Sequence, residues 1–482
     1  MTTSPASAIG WLAFPTLERR DLLVRAIKSY VGNLDQFGRS ASVLVVDGSA
    51  HDGEREQDLD ALRALSSASG KRMFYLGARE KRAHVERLSA LADIPAPVMR
   101  FALFGTPGPL LSYGANRNAI LLATSGHALL SADDDTVCRV GSMAPATETE
   151  PSIHVVREQA SPEQIWFHES RAEAIRSVDW RSEDLLGWHE GMLGRIVAGT
   201  PDRRTAVVST GVVGDCAMSS PAGLVATTDE PTRSRLLASE DTYRRALTSR
   251  EIVRQALVPT VTEAPHLMMT AASLDNTGLL PPFMPMGRNE DGLYARLLRR
   301  CCPGAHIGHL PVAILHAPKG RRTYDASSVP MRVSEVLQLC VEDWSRSAAS
   351  AGSPAERMES VGKFLVEIGS LPQPDFDRAI HSLVGGSALA RIELLVALLD
   401  RNRYHPPYWV DGIHRQILHL ERAAADPWFS IPQDLRGAGS AQGGMAELKS
   451  LIANYGLLLR GWPTIVAMTA RVRYPLATEV RA

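Results

Sequence analysis

The chain has 482 residues, 45% hydrophobic and 22% charged, with a formal net charge of −1 at pH 7. Its length sets a prior of about three domain-sized units, and its composition is that of a globular protein. Nothing in the near-neutral balance implies a strongly basic surface, so no nucleic-acid partner is expected and a negative substrate must be met by local groups or by a metal.

The first third alternates strand and helix. "AIGWLAFPT" is a short apolar strand ending at Pro15 and Thr16. In "LERRDLLVRAIKSYVGNL", Leu22, Leu23, Ala26, Ile27, Tyr30 and Val31 recur at helical spacing, with Arg and Lys between them. "ASVLVVDGSA" is a β-branched strand that stops at Asp47, Gly48 and Ser49. "DLDALRALSSASG" is an amphipathic helix closed by Gly70. "RMFYLG" is strand-like, "GANRNAILLATSG" is a helix ending at Gly126, and "HALLSADDD" is the next strand. Such alternation predicts βαβ units and a mostly parallel sheet.

The middle is less regular. "MAPATETEPS" reads as a loop, "SEDLLGWHEGMLGRIV" as a helix, and "RTAVVSTGVVGDCAMSSP" as two strands or a strand and a turn. "SEDTYRRALTSREIVRQAL" reads as one charged helix, "RNEDGLYARLLRRCC" as a helix beginning near Asn289, and "HIGHLPVAILHAPKG" as a short strand leading to His316. Beyond about residue 325 long helical stretches take over, with "GAGSAQGG" as a flexible interruption before the last one. The expected organisation is an α/β catalytic unit over residues 1–325, with halves at 1–140 and 141–325, and an all-helical C-terminal domain over 326–482.

The chemistry concentrates at "LLSADDDTVC", where an apolar run stops at Asp133, Asp134 and Asp135. In an open α/β sheet, ligands bind beyond the carboxyl ends of the strands, so Asp47 and the aspartate cluster should face one crevice. A hard divalent cation takes one or two carboxylates from protein and the rest from water and phosphates, and a D-x-D run at a strand end meets that demand. Burying three carboxylates without a cation is costly.

"FPTLERRDLLVRAIKSYV", "VLVVDGS" and "GANRNAILLATSGHALLSADDD", in that order, resemble the nucleotide-binding half of glycosyltransferases of the GT-A fold, of the family 2 type. The resemblance implies a Rossmann-like catalytic domain, a nucleotide-diphosphate sugar donor (a uridine one is expected), and Mn²⁺ or Mg²⁺. It implies that Thr16 and Asp47 contact the nucleoside base and that Arg117 lies near the nucleotide. Asp133 or Asp134 would bond the ribose or the donor sugar, and Asp135 would hold the metal. Helix capping by Thr16 and a surface ion pair at Arg117 are the plainer alternatives.

In "PPFMPMGRNEDGLYARLLRR", Glu290 and Asp291 open a helix, where dipole effects alone favour acids. The same pair is similar to the family's catalytic-base motif, which implies Asp291 as the base, with Glu290 second, for a direct attack that inverts the anomeric centre. The family also implies a histidine after the base that completes the metal site; His316 fits, with His309 as competitor. Trp188, His189, Glu190 and the stretch 210–215 fall where the family binds acceptor, whose identity (saccharide, lipid, small metabolite or peptide) is open.

Two rivals remain. "LLSADDDTV" also fits the first motif of haloacid-dehalogenase-type phosphatases, with Asp133 as nucleophile and Asp135 as general acid, and this reading requires a later lysine and an acidic pair. A non-catalytic binding protein on the same fold is the other. The five cysteines, Cys138, Cys216, Cys301, Cys302 and Cys340, form no C-x-x-C pair, which removes zinc-knuckle and thioredoxin-type readings and fits a reducing compartment. The N-terminus lacks the basic and apolar regions of a signal peptide, and no run is read as reaching the ~18 apolar residues of a membrane span. A cytoplasmic location is expected. Peripheral membrane contact through "MAELKSLIANYGLLLRGWPTIVAMTARVRYP" and homo-oligomerisation are left open.

Overall fold

The computed structural model of the chain describes all residues except 1–7, 50–53, 92–93, 108–109, 111, 144–152, 157–160, 196–202, 219–220, 228, 325–330, 348–350, 403–404, 425, 427, 438–439, 473–475 and 482. The loop expected at "MAPATETEPS" (all but its Met143), part of "GAGSAQGG" and the 325/326 boundary lie outside the described residues.

Among the described residues, fourteen strands join in one mixed sheet. They are β1 (Ile9–Thr16), β2 (Ser42–Asp47), β3 (Met73–Leu76), β4 (Ala128–Ala132), β5 (Thr136–Ser142), β6 (His154–Val156) and β7 (Glu163–Phe167). They continue as β8 (Asp179–Arg181), β9 (Arg204–Asp215), β10 (Glu251–Ala256), β11 (Thr260–Thr262), β12 (Ala271–Asp275), β13 (Ala305–His316) and β14 (Thr478–Val480). The main path runs β14-β3-β2-β1-β4-β12-β9-β13-β11-β6. Pairing is parallel through β3-β2-β1-β4 and again between β9 and β13. It is antiparallel where β12 joins β4 and β9, and where β5, β10, β11 and β14 attach. The continuous parallel run is the βαβ portion, whose crossovers are helices, and β9–β13 and β6–β11 are isolated parallel pairs beyond it. The later strands return through shorter connections that permit antiparallel neighbours.

The period of two along β2 explains the layering. Val43 and Val45 join the cluster of helices Arg20–Gln36 and Arg55–Ser69, while Leu44 and Val46 join that of helices Ala78–Leu91, Ala96–Phe104 and Tyr113–Ala123. Gly70 ends its helix with φ 66°, a left-handed value that glycine adopts without Cβ strain.

Register brings the strand ends level. Thr16 pairs with Asp47, Ala13 with Ser131, and Ala132 with Ala271. Because β12 is antiparallel to both β4 and β9, the chain leaves β4, β9 and β13 on the same edge as β1 and β2. The aspartates after Ala132, Asp215 at the end of β9 and His316 at the end of β13 therefore share that edge.

Several local expectations change. "SREIVRQAL" is not the end of the charged helix, because that helix stops at Thr248 and the β-branched stretch Glu251–Ala256 is β10, drawn into the sheet between β7 and β9. The helix expected in 182–197 shrinks to Leu185–Glu190, ended at Gly191. Residues 204–215 form one strand, and β13 is long, at 12 residues.

From Val333 to Arg471 the chain is helical, in Val333–Ser347, Pro354–Ser370, Gln373–Arg401, Pro407–Ala424 and Ala441–Arg471, with a short 3-10 turn at Gln433–Leu435. These helices do not keep a core apart. Leu448, Tyr455, Leu459 and Trp462 belong to the cluster that holds Leu44, Val46 and Phe283. Trp462 Nε1 donates to the Leu280 carbonyl at 2.8 Å, and Tyr455 Oη donates to the Pro282 carbonyl at 2.9 Å. The chain then returns to the sheet as β14, antiparallel to β3. Tyr455 and Trp462 of this apolar stretch are thus buried in packing against the sheet domain. The helix that does satisfy the length and composition of a membrane span is Gln373–Arg401, with a mean hydropathy of 1.7 over its best 18-residue window and 22% of that window buried. The sequence expectation of no such segment is corrected: small and apolar residues are spread around this helix without the unbroken run that was sought.

Candidate active site

A cavity of about 1540 Å³ opens at the carboxyl edge of the sheet, between it and the C-terminal helices. Thr16, Arg117, Asp133, Asp134, Asp135, Glu290, Asp291 and His316 all line it. Eight of the nine expected site residues are thus brought together from five separated segments.

Asp47 is the exception, and it stands one step behind the wall, next to cavity-lining Gly48. Its Oδ1 accepts from Ser49 N at 2.9 Å and Ser49 Oγ at 2.7 Å, and its Oδ2 accepts from Tyr75 Oη at 2.9 Å. Lys81 Nζ donates to the Asp47 carbonyl at 2.9 Å and to Asn116 Oδ1 at 2.7 Å. Gly48 allows this closeness: a Cβ there would lie 2.9 Å from Asn116 Nδ2.

The three aspartates are held by four protein groups. Arg19 Nη1 lies 3.1 Å from both Asp134 Oδ1 and Asp135 Oδ2 and bridges the two carboxylates. Thr16 Oγ1 donates to Asp134 Oδ2 at 2.7 Å. Arg117 Nη2 donates to Asp133 Oδ1 at 3.0 Å. His316 Nε2 lies 3.1 Å from Asp135 Oδ1. Burial pushes Asp134 up to about 7, opposed by Arg19 and Thr16. Burial also acts upward on Asp135, but the His316 bond and the charges of His316 and Arg19 outweigh it and hold the group at about 2.

Arg117 joins the two halves of the site. Besides Asp133 it reaches Glu290 Oε1 through Nε at 3.3 Å and the Met269 carbonyl through Nη1 at 3.4 Å. It is buried, so the surface-pair alternative does not apply. Burial, followed by the charge of Asp291, raises the Glu290 pKa. Asp291 is half-buried and accepts from its neighbour Gly292 N at 2.9 Å and from Met269 N at 3.4 Å. Of the acidic pair, Asp291 makes no ion pair with a described residue, although its charge acts on Arg117, whereas Glu290 is tied directly to Arg117.

His316 is fixed by its other nitrogen: Nδ1 donates to the Asp215 carbonyl at 2.5 Å. The carbonyl can only accept, so Nε2 carries a lone pair unless it takes a second proton, and it faces a carboxylate oxygen. A proton or a cation between these two acceptors is what the arrangement requires. Among the described residues no group of three or more His, Cys, Asp or Glu forms a metal-ligand cluster. The donor set that fits a hard cation is the pair Asp135 and His316, enough for an ion that takes its other ligands from water and phosphate. His309 is on the same strand, buried beside Glu163 Oε1 at 3.5 Å and pairing with Thr260, away from the aspartates.

The acceptor expectation for residues 188–190 fails on topology. Glu190 accepts from Ile9 N at 2.8 Å at the start of β1, the opposite edge of the sheet, and His189 is buried against Ser273 Oγ at 2.9 Å. Stretch 210–215 contributes structure at the correct edge: Asp215 is buried between Arg250 and Arg322 while its carbonyl orients His316. No lysine lines the cavity, so the phosphatase reading lacks its required lysine there.

Sequence reasoning missed Arg19, Asn116 and Arg322. Arg19 had a signal, since it follows the end of β1 by three residues and so sits at the carboxyl edge. The non-glycine residues with left-handed φ, among those described, are Glu18 (53°), Ala217 (56°) and Asn289 (64°). Ala217 and Asn289 line the cavity, and Glu18 lies between lining residues Leu17 and Arg19. Strained backbone gathered at one cleft is a recurrent feature of functional sites.

No protein-family model matches the chain, and no curated protein matches its sequence. Among solved structures, a mannosyltransferase from Pyrobaculum calidifontis in complex with GDP-mannose and Mn²⁺ aligns over 88% of this chain and 89% of its own, at 11% identity and a TM-score of 0.29. A likeness that loose carries no argument about function, which rests on the cavity itself.

Proposed function

We propose that the chain is a glycosyltransferase that moves a sugar from a nucleotide-diphosphate donor to a hydroxyl acceptor with inversion, and that residues 1–325 carry the chemistry. The observation that supports this most is one cavity holding, at the carboxyl edge of the sheet, an aspartate cluster with His316 and also the carboxylate of Asp291, which makes no ion pair with a described residue. A donor's diphosphate would lie over Asp135 and His316, with Mn²⁺ or Mg²⁺ supplying the charge that makes the nucleoside diphosphate a good leaving group. Arg19 would retain Asp134 and leave Asp135 to the ion. Thr16 and Gly48 border the place for the nucleoside, and Asp47, through Ser49 and Tyr75, shapes that border.

Asp291 acts as general base. The acceptor oxygen forms its bond to the anomeric carbon while the carbon–oxygen bond to the diphosphate breaks and its electron pair leaves with the nucleotide. The acceptor proton passes to the Asp291 carboxylate. Arg117 positions Glu290 and Asp133 and keeps the base's helix at a fixed distance from the aspartates.

A thermal-shift screen of nucleoside diphosphates with Mn²⁺ tests the reading, because a ligand that binds only the folded state raises the melting temperature. The expected result is stabilisation by one nucleotide that requires the metal and is absent in Asp135→Ala. Hydrolysis of a generic aryl phosphate, without nucleotide stabilisation, would overturn it in favour of the phosphatase.

A further inference from the structure

The wall facing the aspartates is built by the C-terminal helices, and its polar groups are poorly matched. Arg391, on helix Gln373–Arg401, lines the cavity and makes no hydrogen bond or ion pair with any described residue, and its Nε is buried without a partner. Gln338, on helix Val333–Ser347, also lines the cavity; its Oε1 accepts from Arg296 Nε at 2.9 Å, while its Nε2 is buried without a partner. A Cβ added at Gly292 would lie 3.1 Å from that Nε2, so the unspent amide sits against the residue that follows Asp291.

The carboxylates nearby are committed. Glu335, whose charge acts on Arg391, accepts from Asn289 Nδ2 at 3.4 Å and from Arg332 N at 2.9 Å. Glu342 is taken by Arg296 and Arg300, and Asp426 caps Trp428 N at 2.9 Å. At the rim, Arg288 and Arg422 are exposed and have no ion pair with a described residue. What remains unspent on this wall is therefore a set of donors that includes the Arg391 guanidinium. Neutral sugar hydroxyls donate as well as accept, whereas a phosphate or carboxylate only accepts. Glu335 offsets part of the Arg391 charge, but the buried Nε still has no acceptor, and a ligand oxygen there would supply one. The cavity, at about 1540 Å³, exceeds the ~300–1000 Å³ of an ordinary single-ligand pocket and so has room for an acceptor beside a nucleotide sugar.

We propose that this helical wall is an acceptor pocket for a sugar that carries an anionic group, a phosphate or a carboxylate, held by Arg391 and Gln338 so that a hydroxyl is presented to Asp291. The proposal rests on the transferase reading for its reaction, but its binding half stands on the wall alone. The test is calorimetric titration of the full-length protein with glucose 6-phosphate, glucuronate and glucose, with and without saturating nucleoside diphosphate and Mn²⁺. At least one of the two anionic sugars is expected to bind at least 30-fold tighter than glucose, and which one does so separates phosphate from carboxylate. Arg391→Gln should remove that preference, Arg391→Lys should restore part of it, and nucleotide affinity should stay unchanged in both. Equal binding or no binding of all three sugars by the wild type overturns the pocket, as does a preference that survives in Arg391→Gln. Absence of nucleotide binding, with the anionic preference intact, would sink the transferase reading and leave the pocket standing.

Discussion

The two walls of the cavity solve their electrostatics differently. On the sheet edge every aspartate of the cluster has a protein partner: Asp133 has Arg117, Asp134 has Arg19 and Thr16, and Asp135 has Arg19 and His316. On the helical wall Arg391 and Gln338 keep donors that no described residue accepts from. A network that is nearly closed by the protein positions its groups rigidly, and one that is left open awaits the ligand that closes it. On the proposed reading, the contrast separates a wall for metal and diphosphate from a wall for a more variable molecule.

Removing one ligand from the closed wall should have the largest effect. Asp135→Ala is expected to abolish sugar transfer and to weaken nucleoside diphosphate binding in the presence of Mn²⁺; full turnover in that variant would show that the cluster is only structural. Next comes the base. Asp291→Asn should lower turnover by about a thousandfold, within the range for general-base removal, while donor affinity measured by titration stays within about twofold. A matching loss of donor binding would move Asp291 from chemistry to the closed wall.

Arg117→Met strands Asp133 and Glu290 without their shared cation. Breaking a buried pair in this way costs about 3–5 kcal/mol, so the urea midpoint should fall steeply. A midpoint within error of wild type would mean that these carboxylates take protons and do not need the guanidinium.

A control lies away from both walls. Burial lowers the His189 pKa to about 3, from 6.5 for a free histidine. The unfolded chain therefore binds one more proton than the folded one between those values. The stability from neutral His189 is complete above pH 6.5 and is lost as the pH falls toward about 3, at about 1.4 kcal/mol per pH unit. Subtracting the pH–stability curve of His189→Gln should isolate that slope, and an unchanged slope would assign the acid sensitivity to other groups. The smallest effect tests whether the two walls belong to one folding unit. Tyr455→Phe removes the bond to Pro282 and should cost about 1 kcal/mol while a single unfolding transition persists. Two separate transitions would divide the helices from the sheet.

Much of the parallel portion was legible because its signals are local. β1, β2 and β4 are apolar runs stopped by polar residues, and their helices show the 3.6-residue period, so Thr16, Asp47 and the aspartates could be put at strand ends and hence on one edge. The later strands were harder. "EIVRQA" follows a charged helix without a strong turn signal, and its place between β7 and β9 is a matter of long-range pairing. Residues 188–190 were misjudged because sequence order does not say which edge of a sheet a loop reaches.

The sequence by itself determined the chemistry at the strand ends, since a carboxylate after an apolar run needs nothing beyond the strand to be delivered to the rim. Only the tertiary structure decided the partners: Arg19 between Asp134 and Asp135, Arg117 between Asp133 and Glu290, Asp135 against His316, and Arg391 with no hydrogen bond or ion pair to a described residue. Those pairings join residues separated by 16 to 181 positions, and distances across such separations are set by how the sheet and helices pack, which no local pattern encodes.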